Sequence, residues 1–259
     1  MGVVNVTPDS FSDGGRYLDP AAAVAHARSL VDQGADIVDV GAESSRPGAQ
    51  GVSADEELSR LVPVLEGLSD LPVPVSVDTA KPEVMHAALR AGASMINDIT
   101  AFTAPGALDV VAPTGAAICL MHMQGEPRTM QQAPSYRDVV SEVAAFLEER
   151  VAAAERAGIA RERMVVDPGF GFGKTVAHNF ELLRNLERIA GLGLPVLAGW
   201  SRKSTLGAIT GRPADDRLAA SLAAALLAVE RGARIVRVHD VAATRDALKV
   251  LAALDGKTS

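Results

Sequence analysis

Short runs of β-branched and other apolar residues alternate along the chain with Ala/Leu/Glu/Arg-rich stretches whose apolar positions recur at helical spacing. Strands are predicted at 3–6, 37–40, 73–77, 94–99, 116–121, 164–166, 195–198 and 235–238. Helical stretches are predicted at 20–33, 54–68, 82–91, 107–111, 136–157, 177–189, 215–231 and 242–254. This alternation argues for βα units and a parallel sheet. Eight such units in 259 residues predict one (β/α)8 barrel, a single domain spanning 1–259.

The punctuation agrees. Ser53 and Glu56 have capping-box spacing, Pro82 suits a first helical turn, and Gly34, Gly92, Gly158 and Gly232 each stand where a helix should stop. The phrases DQGAD, RAGAS, RAGIA and ERGAR repeat one helix-stop-then-strand pattern, and no linker or low-complexity stretch divides the chain.

Barrels of this kind place their chemistry at the C-terminal ends of the strands. Those ends are polar here: Asn5, Asp39, Asp78, Asn97 with Asp98, His122, Asp167, Ser201-Arg202-Lys203, and Arg237 with His239. Any one of these could be a cap hydrogen-bonded to loop backbone, but eight converging on one face point to a site. The loops at 7–19 and 43–53 are longer and more polar than packing needs, as expected of segments that cover a ligand.

Several motifs fail on inspection. PGFGFGKT at 168–175 resembles a phosphate loop, but Pro168 occupies the first glycine position. A zinc hydrolase barrel would want a His-x-His pair on strand one, where the chain has Asn5-Val6-Thr7. Lys203, with Arg202 beside it to lower its pKa, leaves a Schiff-base aldolase open at this point.

The remaining set suggests a ligand. Asp78, Asn97 and Asp167 offer carboxylate and amide groups suited to a flat heterocycle with a guanidine-like edge, and Lys203 can donate to a carbonyl of the same ring. Arg237 and His239, ahead of a helix N-terminus near Ala242, form an anion pocket. Asn5 supplies a neutral hard oxygen, suited to one ligand of a Mg²⁺ that also holds phosphate oxygens and water. Heterocycle plus diphosphate is the expected substrate.

Composition narrows the classes. A net charge of −7 without a basic run or aromatic-basic interleave makes nucleic acid an unsuitable partner, and 48% hydrophobic content supports a full core. The longest apolar run, around 218–229, is interrupted by Ser221 and too short to span a bilayer. The first residues lack a cationic and an apolar signal region, and the one cysteine, Cys119, reads as a buried apolar residue, so a cytoplasmic protein is expected.

The segments MGVVNVTPDSFSDGG, DVGAESSRPGA, VSVDT, INDIT, LMHMQGEPRTMQ, DPGFGFGK, SRKS and RVHDV, in this order, cover nearly the whole chain. Through them the chain resembles the dihydropteroate synthase family, the sulfonamide target of folate biosynthesis. The resemblance implies a (β/α)8 barrel that condenses p-aminobenzoate with 6-hydroxymethyl-7,8-dihydropterin diphosphate, giving 7,8-dihydropteroate and pyrophosphate. It implies Asn5 as the Mg²⁺-linked residue and Arg237 and His239 as diphosphate holders, with Arg237 also stacking on the pterin. Asp78, Asn97, Asp167 and Lys203 would line the pterin pocket, with Met121 in its wall. Ser204 would meet the p-aminobenzoate carboxylate, and Phe170 or Phe172 would edge the amine slot, with Phe172 taken as the binding residue. Catalytic roles fall to Thr7, Asp9, Ser10 and Asp13 of the first loop, to Arg46 beside Ser45 in the second, and to Lys203, Arg237 and His239. The family pattern also implies a homodimer through the Ala-rich last helices. It usually has several residues ahead of strand one, so a short first strand or a misplaced start is expected. The alternatives are a non-catalytic pterin-binding paralogue and a methyltetrahydrofolate-type methyltransferase barrel.

Overall fold

A computed structural model describes residues 1–7, 19–44, 48–254 and 256. Its eight strands are β1 (Gly2–Asn5), β2 (Val38–Gly41), β3 (Val75–Asp78), β4 (Met95–Asp98), β5 (Ala117–Met121), β6 (Met164–Asp167), β7 (Val196–Ala198) and β8 (Ala233–Val236). They lie in one sheet in chain order, and all seven pairings are parallel. A parallel bridge between Gly2 and Val238 joins the extension of β8 to β1, with Val3 N–H donating to Val238 O at 3.0 Å. The sheet is curled, so that the residues just beyond β8 lie beside β1 at that bridge.

The helices are α1 (Pro20–Asp32), α2 (Ala54–Gly67), α3 (Pro82–Arg90), α4 (Ala107–Val111), α5 (Val139–Arg156), α6 (Val176–Arg184), α7 (Leu186–Ala190), α8 (Ser204–Thr210), α9 (Leu218–Glu230) and α10 (Val241–Leu254). Side chains alternate between sheet faces with period two. One set, including Val4, Val40, Val77, Ile96, Ile118 and Val166, packs against the helices in the large core. The other set turns inward, where Met1, Met95, Cys119, Val165 and Leu197 form a separate apolar cluster. Two residues further along their strands, Met95 and Val165 give way to Asn97 and Asp167, and in the same register Ile37 gives way to Asp39 and Ile235 to Arg237. A polar layer thus sits directly above an apolar plug.

Gly34, Gly92, Gly158 and Gly232 all take left-handed φ, from 87° to 101°, as their helix-stop positions require. Ser53 Oγ accepts the Glu56 N–H at 3.2 Å, but the Glu56 carboxylate pairs with Arg60 instead of reaching back, so the expected capping box is half formed. The two-sided box occurs at Thr175 and His178.

Three helices differ from the sequence reading. The stretch expected at 177–189 breaks at Asn185, whose φ of −110° and ψ of 25° end α6 and start α7. The one expected from 136 begins at Val139, because the Asp138 carboxylate caps the N–H groups of Val140 and Ser141, each at 3.1 Å, while Tyr136 donates its hydroxyl to Gly173 O. The one expected from 215 begins at Leu218, after a 3-10 turn over Ala214–Asp216. Helix α8 has no counterpart in the expected pattern. Its sequence STLGAIT, with β-branched residues and a glycine, has low helix propensity, and burial of Thr205 and Leu206 supplies what propensity lacks.

Candidate active site

At the mouth of the curled sheet, Arg237 from the end of β8 reaches across the interior to two carboxylates. Its Nε donates to Asp39 at 2.6 Å and its Nη2 to Asp78 at 3.0 Å. Asn97 Nδ2 also donates to Asp39, at 3.3 Å. Asp39 is fully buried, and its second oxygen, like the Asn97 amide oxygen, has no protein partner. Unpaired buried acceptors are costly, so both belong where a ligand donor can complete them. Asp39 ends a strand in the sequence reading but was not assigned a site role there. Only the cross-sheet geometry makes it the link between Arg237 and Asn97.

Charge is crowded here. Burial pushes the Asp78 carboxyl well above the usual range, and Asp39 adds to the shift while Arg237 opposes it. Burial likewise raises Asp167, against the Gly169 N–H that donates to it at 2.7 Å. Lys203 is held below its ordinary value by burial and by Arg237, with Asp167 and Asp78 pulling the other way. Its Nζ lies 4.1 Å from the centre of the Phe172 ring.

The two phenylalanines separate. Phe170 is buried against Trp200, ring centroids 4.6 Å apart, whereas Phe172 joins Met121 and Met130 in a small apolar cluster beside Lys203. Phe172 and Met121 therefore form an apolar wall next to the polar layer. His239 sits with its Nδ1 2.9 Å from Ser201 Oγ, and burial, with Arg237 and Arg202 adding to it, pushes the imidazole down to about 4. Its ring is neutral at pH 7. Ser204 stands exposed at the first turn of α8, Asn5 is half-buried at the end of β1, and Thr7 is buried just beyond it. Asp9, Ser10, Asp13, Ser45 and Arg46 lie outside the described residues.

Other polar strand ends serve the scaffold. Asp98 accepts from Thr100 N, Thr100 Oγ1 and Phe102 N at 2.7–2.8 Å, fixing a turn in which Ala101 and Phe102 both have positive φ. His122 meets a buried lysine that sequence reasoning passed over. Lys174 Nζ lies 2.9 Å from His122 Nδ1 and donates to the carbonyls of Gly169, Phe172 and His122 at 2.9–3.3 Å. Burial brings Lys174 down to about 7, and burial with the neighbouring ammonium brings His122 down to about 3. The lysine of PGFGFGKT therefore ties its own loop together, unlike a phosphate-loop lysine that points at a ligand. The signal for this was the glycine pattern itself: Gly169, Gly171 and Gly173 all have left-handed φ and fold the loop tightly around the ammonium.

Among the described residues no group of three or more His, Cys, Asp or Glu side chains is placed to hold a metal. The Asn5 amide oxygen is a neutral hard donor, which fits an ion such as Mg²⁺ that keeps several waters and substrate phosphate oxygens in its shell.

The sequence model described as pterin binding enzyme matches residues 1–239, and this match places the eight-stranded parallel α/β fold with its polar layer in the pterin-binding class. Curated relatives include the dihydropteroate synthase of Escherichia coli (strain K12), 50% identical over 98% of this chain and 90% of that protein, and that of Neisseria meningitidis serogroup B, 52% identical over 98% and 92%. Among solved structures, Xanthomonas albilineans dihydropteroate synthase with 4-aminobenzoic acid is 55% identical, covers 98% of this chain and 92% of its own, and superposes with a TM-score of 0.93. The same enzyme in complex with 7,8-dihydropteroate is 52% identical over 98% and 92%, with a TM-score of 0.89. The chain belongs to the dihydropteroate synthase family.

Proposed function

We propose that this chain joins p-aminobenzoate to 6-hydroxymethyl-7,8-dihydropterin diphosphate, forming 7,8-dihydropteroate and pyrophosphate, and that it does so on a closed (β/α)8 barrel in one domain. The observation that carries the reading is the Asp39–Arg237–Asp78 network with Asn97: acceptors set for the N–H edge of a pterin, beside Lys203 and an apolar wall. Asp78, Asn97, Asp167 and Lys203 would hold the pterin, Met121 and Phe172 its flank and the amine slot, and Ser204 the p-aminobenzoate carboxylate. Arg237 and neutral His239 would donate to the diphosphate, with Arg237 also lying along the ring.

In the reaction the bond between the pterin methylene carbon and the diphosphate oxygen breaks, and its electron pair leaves with pyrophosphate. Hydrogen bonds from Arg237 and His239 strengthen as that charge grows, while the carboxylates favour cationic character on the methylene. The p-aminobenzoate nitrogen then forms the new C–N bond with its lone pair and releases a proton to solvent. When bound at Asn5, Mg²⁺ supplies charge neutralisation for the departing oxygens. Thr7, Asp9, Ser10 and Asp13, with Ser45 and Arg46, would exclude water that otherwise captures the methylene as the alcohol.

The test is pyrophosphate release from the pterin diphosphate, with dihydropteroate followed in the same tube. One-to-one release that stops on chelation of Mg²⁺ is the expected result. Binding of the pterin diphosphate with neither product formed would make the chain a binding paralogue.

The same reading includes a homodimer and a cytoplasmic location. Leu218 and Leu227 of α9 and Val250 and Leu254 of α10 are exposed apolar side chains on two helices that pack together. Sedimentation at micromolar concentration should give twice the 26.8 kDa chain mass, and Leu227→Glu should return the monomer. A monomer in the unsubstituted protein would remove the dimer from the reading. The lone cysteine, buried Cys119, suits a reducing compartment, and among the described residues no helix is long and apolar enough to cross a membrane.

A further inference from the structure

The turn that follows β7 and delivers Lys203 and Ser204 to the mouth is held in an unfavourable conformation from outside the site. Arg202 has φ of 59°, a left-handed value that costs a non-glycine residue about 1–2 kcal/mol. Such strain persists only where surroundings over-determine it. Here every polar group of Arg202 is engaged. Its N–H donates to Ser221 Oγ at 3.0 Å, its carbonyl accepts from Arg217 Nη1 at 3.0 Å, and its guanidinium pairs with Asp240 at 2.6 Å. The same Arg217 Nη1 lies 3.3 Å from the Lys203 carbonyl, so one guanidinium spans two successive peptide groups.

Arg217 is itself fixed. Its Nε donates to Arg212 O at 2.8 Å, and its carbonyl accepts from Ser221 Oγ at 2.7 Å, closing a ring of contacts between the start of α9 and the turn. The guanidinium covers Gly207 in α8: a Cβ at that position would come within 2.2 Å of Arg217 Nη2 and within 2.6 Å of its Nε. Glycine inside a helix is unfavourable by about 1 kcal/mol relative to alanine, so its place under the guanidinium needs a reason. The space it leaves is what lets Arg217 reach the turn.

We infer that Arg217, seated over Gly207, is a positioning residue for the condensation: it touches neither substrate and acts by fixing the Arg202–Lys203 turn that presents Lys203 and Ser204. This rests on the function proposed above. Loss of Arg217 leaves the strained turn with fewer restraints, and relaxation of Arg202 would swing Lys203 away from Phe172 and carry Ser204 with it.

The experiment compares Arg217→Met and Gly207→Ala with the unsubstituted protein and with Arg217→Lys, measuring KM for each substrate, kcat and melting temperature. Arg217→Met removes the donors, whereas Gly207→Ala keeps them and displaces the guanidinium, so the two variants reach the same state with different risks to folding. The expected result is a KM about tenfold higher for both substrates in both variants, with kcat within about threefold and melting within a few degrees of the parent. Arg217→Lys, able to reach one carbonyl, should fall between. A KM within twofold of the parent in both variants overturns the assignment, as does a fall in kcat that merely tracks a lowered melting temperature. Absence of dihydropteroate formation by the unsubstituted protein overturns the function itself and this inference with it, and is told apart because the parent is assayed alongside.

Discussion

Arg237→Met should fold, lose about 3–5 kcal/mol of stability, and turn over roughly a hundred- to a thousandfold more slowly. The stability loss follows from what the guanidinium leaves behind. Asp39 is fully buried and Asp78 partly buried, and each has Arg237 as its ion-pair partner. Removing the cation leaves two carboxylates facing one another, with the Asn97 amide bonded to Asp39 and the Lys203 charge acting on Asp78 to compensate in part. The pH dependence has a definite sign. Asp78 already carries a raised pKa, so the stability it contributes is complete below its unfolded value near 3.8 and is lost as pH rises through about 7. Without Arg237 the shift grows, so the deficit of the variant should be small at pH 5 and large at pH 8 in urea titrations. Adding Asp39→Asn to Arg237→Met should recover much of the stability and none of the turnover. A double variant as active as the parent would show that the guanidinium serves the scaffold alone.

Gly169→Ala should be the most damaging of the glycine substitutions, and Gly158→Ala supplies the measure. Both residues have left-handed φ, 68° and 87°. Alanine at either pays the same conformational cost of about 1–2 kcal/mol. At Gly158 the new methyl group meets nothing within 4 Å, so that cost is the whole effect. At Gly169 the methyl carbon would lie 1.9 Å from the carbonyl oxygen of His122, a backbone atom that cannot step aside without moving β5 or the loop. The loop must open, and with it go the bond from Gly169 N–H to Asp167, the lysine seat around Lys174, and the place of Phe172 under Lys203. Thermal unfolding should show Gly158→Ala destabilised by about 1–2 kcal/mol and Gly169→Ala by several, beyond the ~0.5–3 kcal/mol usual for single substitutions. Equal losses at the two positions would mean that the loop accommodates the methyl group and that its tight seat on His122 is not needed.

The eight strands were readable because each pairs an apolar run with a turn signal, and their bounds in the structure differ from the expected ones by no more than about two residues at most ends. The polar layer was readable as residue types at strand ends. Which of those residues work together was not, because the partners of Arg237 lie 159 and 198 positions away along the chain and are set by how far the sheet curls. Asp98 and His122 look like site residues from their positions, but Asp98 holds the backbone of a turn and the His122 ring meets the Lys174 ammonium. Conversely, Lys174 looked like the tail of a failed phosphate loop, and only three-dimensional packing reveals four polar atoms around its ammonium. Helix α8 and the break at Asn185 escaped because packing, not propensity, decides both.

Among the described residues, the inward apolar plug of Met1, Met95, Cys119, Val165 and Leu197 fills the interior of the curled sheet below the polar layer. Reactants that enter at the strand ends cannot pass through to the far side, so two substrates arrive and two products depart along one route. Any molecule lodged in the outer half of that passage blocks entry and exit together, without having to reach the polar floor.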